Sequence, residues 1–153
     1  MLGRINRGSN PNTRRHFALL RSDSSHRIGA TADYAWVIEG RWLGCRIKGR
    51  LLGQPFEEFT ILGYDSYAQS VVEVSVESSD NAMEMARGSF DRSRHPTHVL
   101  FGELDEYFTG SLQRPYKVVM KWLDPSHHVT EVWDLGTGEK PLEKVAFTFT
   151  RQP

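Results

Sequence analysis

Carboxylates set among apolar side chains are the groups in this sequence best suited to acid/base chemistry. Glu131 alternates with Trp133, and a carboxyl group placed among such neighbours has the raised pKa that a general acid or base needs. The alternative for Glu131 is the outer surface, in an ion pair with Lys117 or Lys121. Tyr64 is a second candidate for the acid/base role. The pattern fixes neither residue, so any catalytic residue is unknown at this point.

Two histidines spaced like metal ligands stand at His95 and His98, with Glu103 nearby. Pro96 between them favours an extended backbone, and the strand that follows sends His98 and Glu103 to opposite faces. The neighbouring pair His127 and His128 falls in a predicted turn, where adjacent side chains diverge. We therefore expect no metal site.

The single cysteine, Cys45, lies between Leu43 and Ile47 without an evident histidine partner, which indicates an inert core thiol. The sequence has no Gly-rich phosphate loop, nucleophile elbow or Cys-x-x-Cys pair. We expect no cofactor.

The elements that must position these side chains follow a β pattern from about residue 31 onward. Short runs rich in Val, Ile, Phe, Tyr, Trp and Thr are separated by turn residues. Short connections between so many strands favour an all-β antiparallel barrel of about eight or nine strands, with a β-sandwich as the alternative. The runs predict strands near residues 32–38, 41–51, 56–64, 70–77, 82–90, 97–107, 114–123, 128–135 and 145–151.

The alternation within these strands predicts an apolar and aromatic lumen. Leu43, Cys45 and Ile47 share one face, and Arg46 and Lys48 share the other. By assigning the more apolar face of each strand to the interior, we predict ligand-binding residues at Phe59, Ile61, Val74, Met85, Phe101, Met120, Trp122, Glu131 and Trp133.

The charge distribution separates a basic head from the rest of the chain. Lys and Arg number 19, as do Asp and Glu, but residues 1–30 carry six arginines against Asp23 alone. We expect residues 1–30 to be irregular or disordered and residues 31–153 to form one barrel domain. The zero net charge disfavours nucleic acid as a partner. No run is apolar enough for a signal core or a membrane span, so we expect a cytoplasmic protein without a membrane partner.

Several segments between Trp36 and Arg151 resemble a known family. They include Trp36-Val-Ile-Glu-Gly-Arg-Trp-Leu43, Gly53-Gln-Pro-Phe-Glu57, Gly88-Ser-Phe-Asp91 and His128-Val-Thr-Glu-Val-Trp133. In order and spacing they are similar to the small bacterial proteins of the family called domain of unknown function 1579. The resemblance implies a calycin-like, lipocalin-type barrel. Residues 1–30 hold no Gly-x-Trp element of the kind with which such proteins usually begin, so the N-terminal strand is where closure could be incomplete.

Three hypotheses of function follow. The first is a binding module whose lumen holds a small hydrophobic molecule. The second is a cofactor-free isomerase or cyclase that acts on an apolar substrate through Glu131 or Tyr64. The third is a homodimeric interaction protein, in which an open barrel edge pairs with a second copy.

Overall fold

Every element in the described part of the chain is a β-strand. The computed structural model describes residues 15–22, 27–38, 40–51, 53–79, 81–91, 96–106, 110–136 and 142–152. The strands are β1 (Arg15–Ser22), β2 (Arg27–Ile38), β3 (Trp42–Leu51), β4 (Gln54–Asp65), β5 (Ser70–Glu77), β6 (Met83–Asp91), β7 (Thr97–Glu106), β8 (Ser111–Asp124), β9 (His127–Asp134) and β10 (Leu142–Arg151). Among these residues no helix is long and apolar enough to cross a membrane.

The strands form an antiparallel barrel, which confirms the predicted fold class. From β2 to β10 each strand pairs with the next one in sequence, which leaves one seam between β2 and β10. Strand β1 lies in that seam and pairs with both neighbours, so that Phe17 faces Ala32 on one side and Arg151 on the other. The resulting order is that of a closed barrel.

The N-terminal segment therefore differs from the expectation. Residues 15–22 and 27–30, which we expected to be irregular, supply β1 and the start of β2. The many arginines around Phe17, Leu19 and Leu20 obscured the apolar pattern that would have predicted this strand. Residues 1–14 and 23–26 lie outside the described part of the chain.

Turn residues shape the connections as the sequence predicts. Gly40 and Gly53, between β2 and β3 and between β3 and β4, have φ angles of 68° and 81°, a region that glycine adopts without steric cost. After β4, Asp65 Oδ1 accepts the backbone N–H groups of Tyr67 and Ala68 at 2.9 and 3.0 Å. Asp65 therefore caps this turn.

Cross-strand pairing determines which side chains face the lumen. Direct partners in an antiparallel pair share a face of the sheet. Tyr34 on β2 faces Cys45 on β3, which faces Thr60 on β4, then Ser75 on β5 and Glu84 on β6. Since Tyr34 and Cys45 are buried, this whole row points inward.

The buried apolar side chains form two clusters inside the barrel. The first includes Tyr34, Ile47 and Phe149, with Trp122 packed against it. The second contains Val71, Ala86, Leu100, Tyr116 and Val118. Polar inner side chains lie in the rows between these clusters.

Most of the predicted lumen residues face outward instead. Met120 and Trp122 lie on the inner face, opposite His98 and His128. The other placements were wrong. On β5 the more apolar face is the outer one, and on β4, β6, β7 and β9 apolar side chains lie on both faces, so alternation did not decide which face points inward. The outward-facing residues are Phe59, Ile61, Val74, Met85, Phe101, Glu131 and Trp133.

Inner glycines allow close approach between neighbouring strands. A Cβ on Gly88 would overlap the carbonyl oxygen of Val99, and a Cβ on Gly102 would lie 2.7 Å from the ring of Tyr116. The first contact is with backbone, which moves less readily than a side chain.

We expect Gly88→Ala to destabilise the barrel, because the added methyl group must push β6 and β7 apart. The expected loss is about 1–3 kcal/mol, as is usual when a packed site is overfilled. Urea unfolding measures it. The control is Ser89→Ala, the adjacent exposed position on the same strand, which should change stability little. Equal stabilities of the two variants would contradict the proposed packing.

Candidate functional site

Three glutamates from adjacent strands converge on one region of the lumen. Glu58 faces the buried Ile47, Glu73 faces the buried Ala86, and Glu84 lies two residues before Ala86 on the same strand. The register of β4, β5 and β6 thus turns all three carboxyl groups inward. We call these residues the acidic cluster.

Burial and repulsion between carboxylates raise the pKa values of Glu58 and Glu73. The pKa of Glu73 rises to about 7, first because burial disfavours the charged form and then because Glu58 and Glu84 repel its negative charge. Burial also raises the pKa of Glu58, although its Oε1 accepts a hydrogen bond from Thr60 Oγ1 at 2.9 Å. Glu73 therefore changes charge near neutral pH.

Two phenols and a thiol lie close enough to interact electrostatically with these carboxylates. Burial raises the pKa of Tyr34 and of Tyr116, and Glu58 and Glu73 raise both further. Burial likewise raises the pKa of the Cys45 thiol to about 12. All three groups stay protonated at neutral pH, and Cys45 is the unreactive thiol that the sequence indicates.

A buried histidine on β9 contacts side chains of β2, β8 and β10. His128 Nε2 lies 3.1 Å from the hydroxyl of Tyr34. Its ring stacks on Phe149, with centroids 4.1 Å apart, and packs at a tilt against Trp122, with centroids 4.4 Å apart. Burial lowers its pKa to about 4, so the imidazole is neutral at pH 7.

Two polar atoms in one inner row have no hydrogen-bond partner in the described part of the chain. They are His98 Nδ1 and Thr130 Oγ1, both inaccessible to solvent. His98 and Thr130 flank Met120 across β7, β8 and β9. The ring of His98 stacks on Phe90 at 4.6 Å, and burial lowers its pKa to about 4. Buried polar atoms without partners are uncommon and mark places where a ligand can bond.

An ion pair lies at another position in the lumen. Arg114 Nε lies 2.9 Å from Asp134 Oδ2, and the backbone N–H of Gly136 donates to Asp134 Oδ1 at 2.8 Å. Asp134 is almost completely buried. Because these bonds hold the carboxylate of Asp134, we assign the pair a structural role.

The residues proposed from sequence as the acid or base occupy other environments. Glu131 lies on the outer face and accepts a hydrogen bond from Trp133 Nε1 at 3.1 Å. Lys117 Nζ stacks over the ring of Trp133 at 4.9 Å. Tyr64 lies on the inner face, and its hydroxyl donates to Gln69 Oε1 at 3.2 Å.

The sequence did not single out Glu73 or Glu84, and it did not place Glu58 or His128 in the lumen. The alternation signal was present, since Glu73 alternates with Val71 and His128 with Thr130 and Val132. We assigned the opposite face inward because it is the more apolar one.

The residues considered from sequence as metal ligands do not come together among the described residues. His98 lies on the inner face of β7 and Glu103 on the outer face, and His95 lies outside the described residues. Within the described ranges, no group of three or more His, Cys, Asp or Glu side chains is arranged to hold a metal ion.

A known protein family matches most of the chain. The model of a family described as protein of unknown function (DUF1579) matches residues 17–151. The match includes most of β1, in agreement with its place in the barrel. A search of curated proteins found no match.

Replacing Glu73 with Gln should alter how stability depends on pH. Because the pKa of Glu73 is about 7 in the folded protein and 4.5 ordinarily, folding favours its protonated form. This favourable contribution is complete below the ordinary pKa and is lost as the pH rises through the folded pKa. The two pKa values correspond to a loss of roughly 3 kcal/mol.

We therefore expect Glu73→Gln to resist urea better than the wild type at about pH 8 and to match it at about pH 4.5. Glu103→Gln, an exposed outer position on β7, is the control. The same pH dependence in the wild type and Glu73→Gln would contradict the placement of Glu73.

Proposed function

The chain belongs to the family described as protein of unknown function (DUF1579), and from this premise we propose that its barrel binds a small amphipathic molecule. The ligand has an apolar body and a positively charged or hydrogen-bond-donating group. The acidic cluster holds that group, and the apolar inner side chains contact the body. The protein is thus proposed to bind a small molecule, as the sequence suggested, but the ligand is amphipathic and not purely hydrophobic.

The observation that supports the proposal most is the crowding of Glu58, Glu73 and Glu84. Placing carboxylates together in a buried region disfavours folding at neutral pH, because each loses hydration and is repelled by the others. A barrel selected for stability alone would have apolar residues at these positions. Strongly perturbed carboxylates in a concave interior are typical of binding and catalytic sites.

The remaining inner groups fit the same ligand class. His98 Nδ1 and Thr130 Oγ1 offer hydrogen-bonding positions that no described residue of the protein occupies. Met120 lies between them and Trp122 lies beside His128, so apolar surface adjoins each polar group. An apolar body with a few polar contacts is the usual composition of such complexes.

A cofactor-free isomerase or cyclase is the second candidate, and the titration of Glu73 favours it. A pKa of about 7 is suited to a general acid or base at neutral pH. Glu73 would then take the role that the sequence suggested for Glu131 or Tyr64. Glu73→Gln separates the two candidates. It lowers the affinity for the ligand if the protein is a carrier, and it lowers the turnover number if the protein is an enzyme.

We expect octylammonium to bind to the full-length protein at least about tenfold more tightly than octanoate, which has the same chain length and the opposite charge. Isothermal titration calorimetry at about pH 8 measures both affinities with Glu73 ionised. The double variant Glu58→Gln/Glu73→Gln should lose the preference, and Glu103→Gln should keep it. Equal affinities for the two probes, or no binding of either, would contradict the proposal.

A further inference from the structure

The outer face of strands β4, β5 and β6 carries a continuous apolar surface, which we call the outer patch. Val76, Met83 and Met85 are 40%, 70% and 45% exposed. Monomeric proteins rarely expose contiguous apolar surface, and where such a surface occurs it usually marks an interaction site. The residues of the outer patch are Phe59, Ile61, Val74, Val76, Met83 and Met85.

The strand register arranges the outer patch in two rows. In the first row Phe59 faces Val76, which faces Met83. In the second, Ile61 faces Val74, which faces Met85. The two rows are adjacent because their members are two residues apart on each strand. Methionine and aromatic side chains of this kind are enriched in the cores of protein interfaces.

The two rims of the outer patch have opposite charge. On the β3 side, Arg46 faces Phe59 and stacks over its ring at 5.1 Å, and Lys48 follows two residues later. On the β7 side, Glu103 faces Met85, and Asp105 continues the same outer face. Arg46, Lys48, Glu103 and Asp105 are all exposed.

Glu57 offsets part of the basic rim without cancelling it. Its carboxylate pairs with both Arg46 and Lys48. Arg50 adds a further exposed positive charge on the same face of β3. The β3 rim therefore remains positive overall.

We propose that the outer patch is the interface of a symmetric homodimer. A two-fold axis parallel to β5 brings the β3 rim of one copy opposite the β7 rim of the other, and the reverse contact occurs by symmetry. Arg46 then faces Asp105 and Glu103 of the second copy, while the two apolar rows pack on each other. The long rim side chains span the gap that the curvature of the barrel opens.

Charge complementarity selects a second copy as the occupant. A lipid surface offers no alternation of sign, and a partner of one charge would be repelled by one of the two rims. The sequence analysis expected a dimer that forms through an open edge of the barrel. Strand β1 pairs on both sides at that edge, so the outer patch replaces it.

The test is the oligomeric state of the full-length protein and its variants by sedimentation equilibrium. We expect the wild type to dimerise, and Met85→Lys to raise the dimer dissociation constant more than about tenfold, because it places a charge in the apolar centre. Lys121→Glu, on the outer face of β8, is the control and should dimerise as the wild type does.

Charge reversal tests the orientation of the two copies. Arg46→Glu and Glu103→Lys should each weaken dimerisation, because each brings like charges together across the interface. The double variant Arg46→Glu/Glu103→Lys should restore it, which a folding defect would not do; circular dichroism checks the fold of each variant. A wild type that is monomeric at the highest attainable concentration would overturn the proposal, as would a dimer unaffected by Met85→Lys.

Discussion

Closure of the barrel is the constraint on which the rest of this structure depends. Because direct partners across an antiparallel pair share a face, the burial of Tyr34 on β2 determines which residues point inward on each later strand. The inner row from Tyr34 continues through Cys45 and Thr60 to Glu84. Tyr34 also contacts His128 on β9. No strand can exchange its faces without breaking this pairing.

Closure gives β4, β5 and β6 an unusual distribution of side chains. Glu58, Glu73 and Glu84 lie in the lumen, whereas Val74, Val76, Met83 and Met85 lie on the outer surface. This distribution is unfavourable on both faces for a monomer alone. Deviations of this kind from the usual pattern tend to coincide with function. The acidic cluster and the outer patch both result from the same strand register. The proposed ligand would offset the buried negative charge, and the proposed second copy would cover the exposed apolar surface.

The sequence predicts the fold better than it predicts the candidate site, and particular strands show why. On β3 and β8, Cys45 and Trp122 belong to faces that are clearly the more apolar, and both were placed inward. On β5, Val74 belongs to the more apolar face but Glu73 lies in the lumen. Composition alone cannot distinguish an apolar face that packs inside from one that meets a partner. Strand β1 was missed because arginines surround its apolar residues.

The most direct test of this account is the titration of the glutamate carboxyl groups, followed by NMR of the full-length protein with 13C-labelled glutamate. The resonance that disappears in Glu73→Gln identifies the side chain. That resonance should titrate with a pKa of about 7, because Glu73 is buried beside Glu58 and Glu84. A pKa near the ordinary value of 4.5 would place Glu73 in water and contradict the acidic lumen.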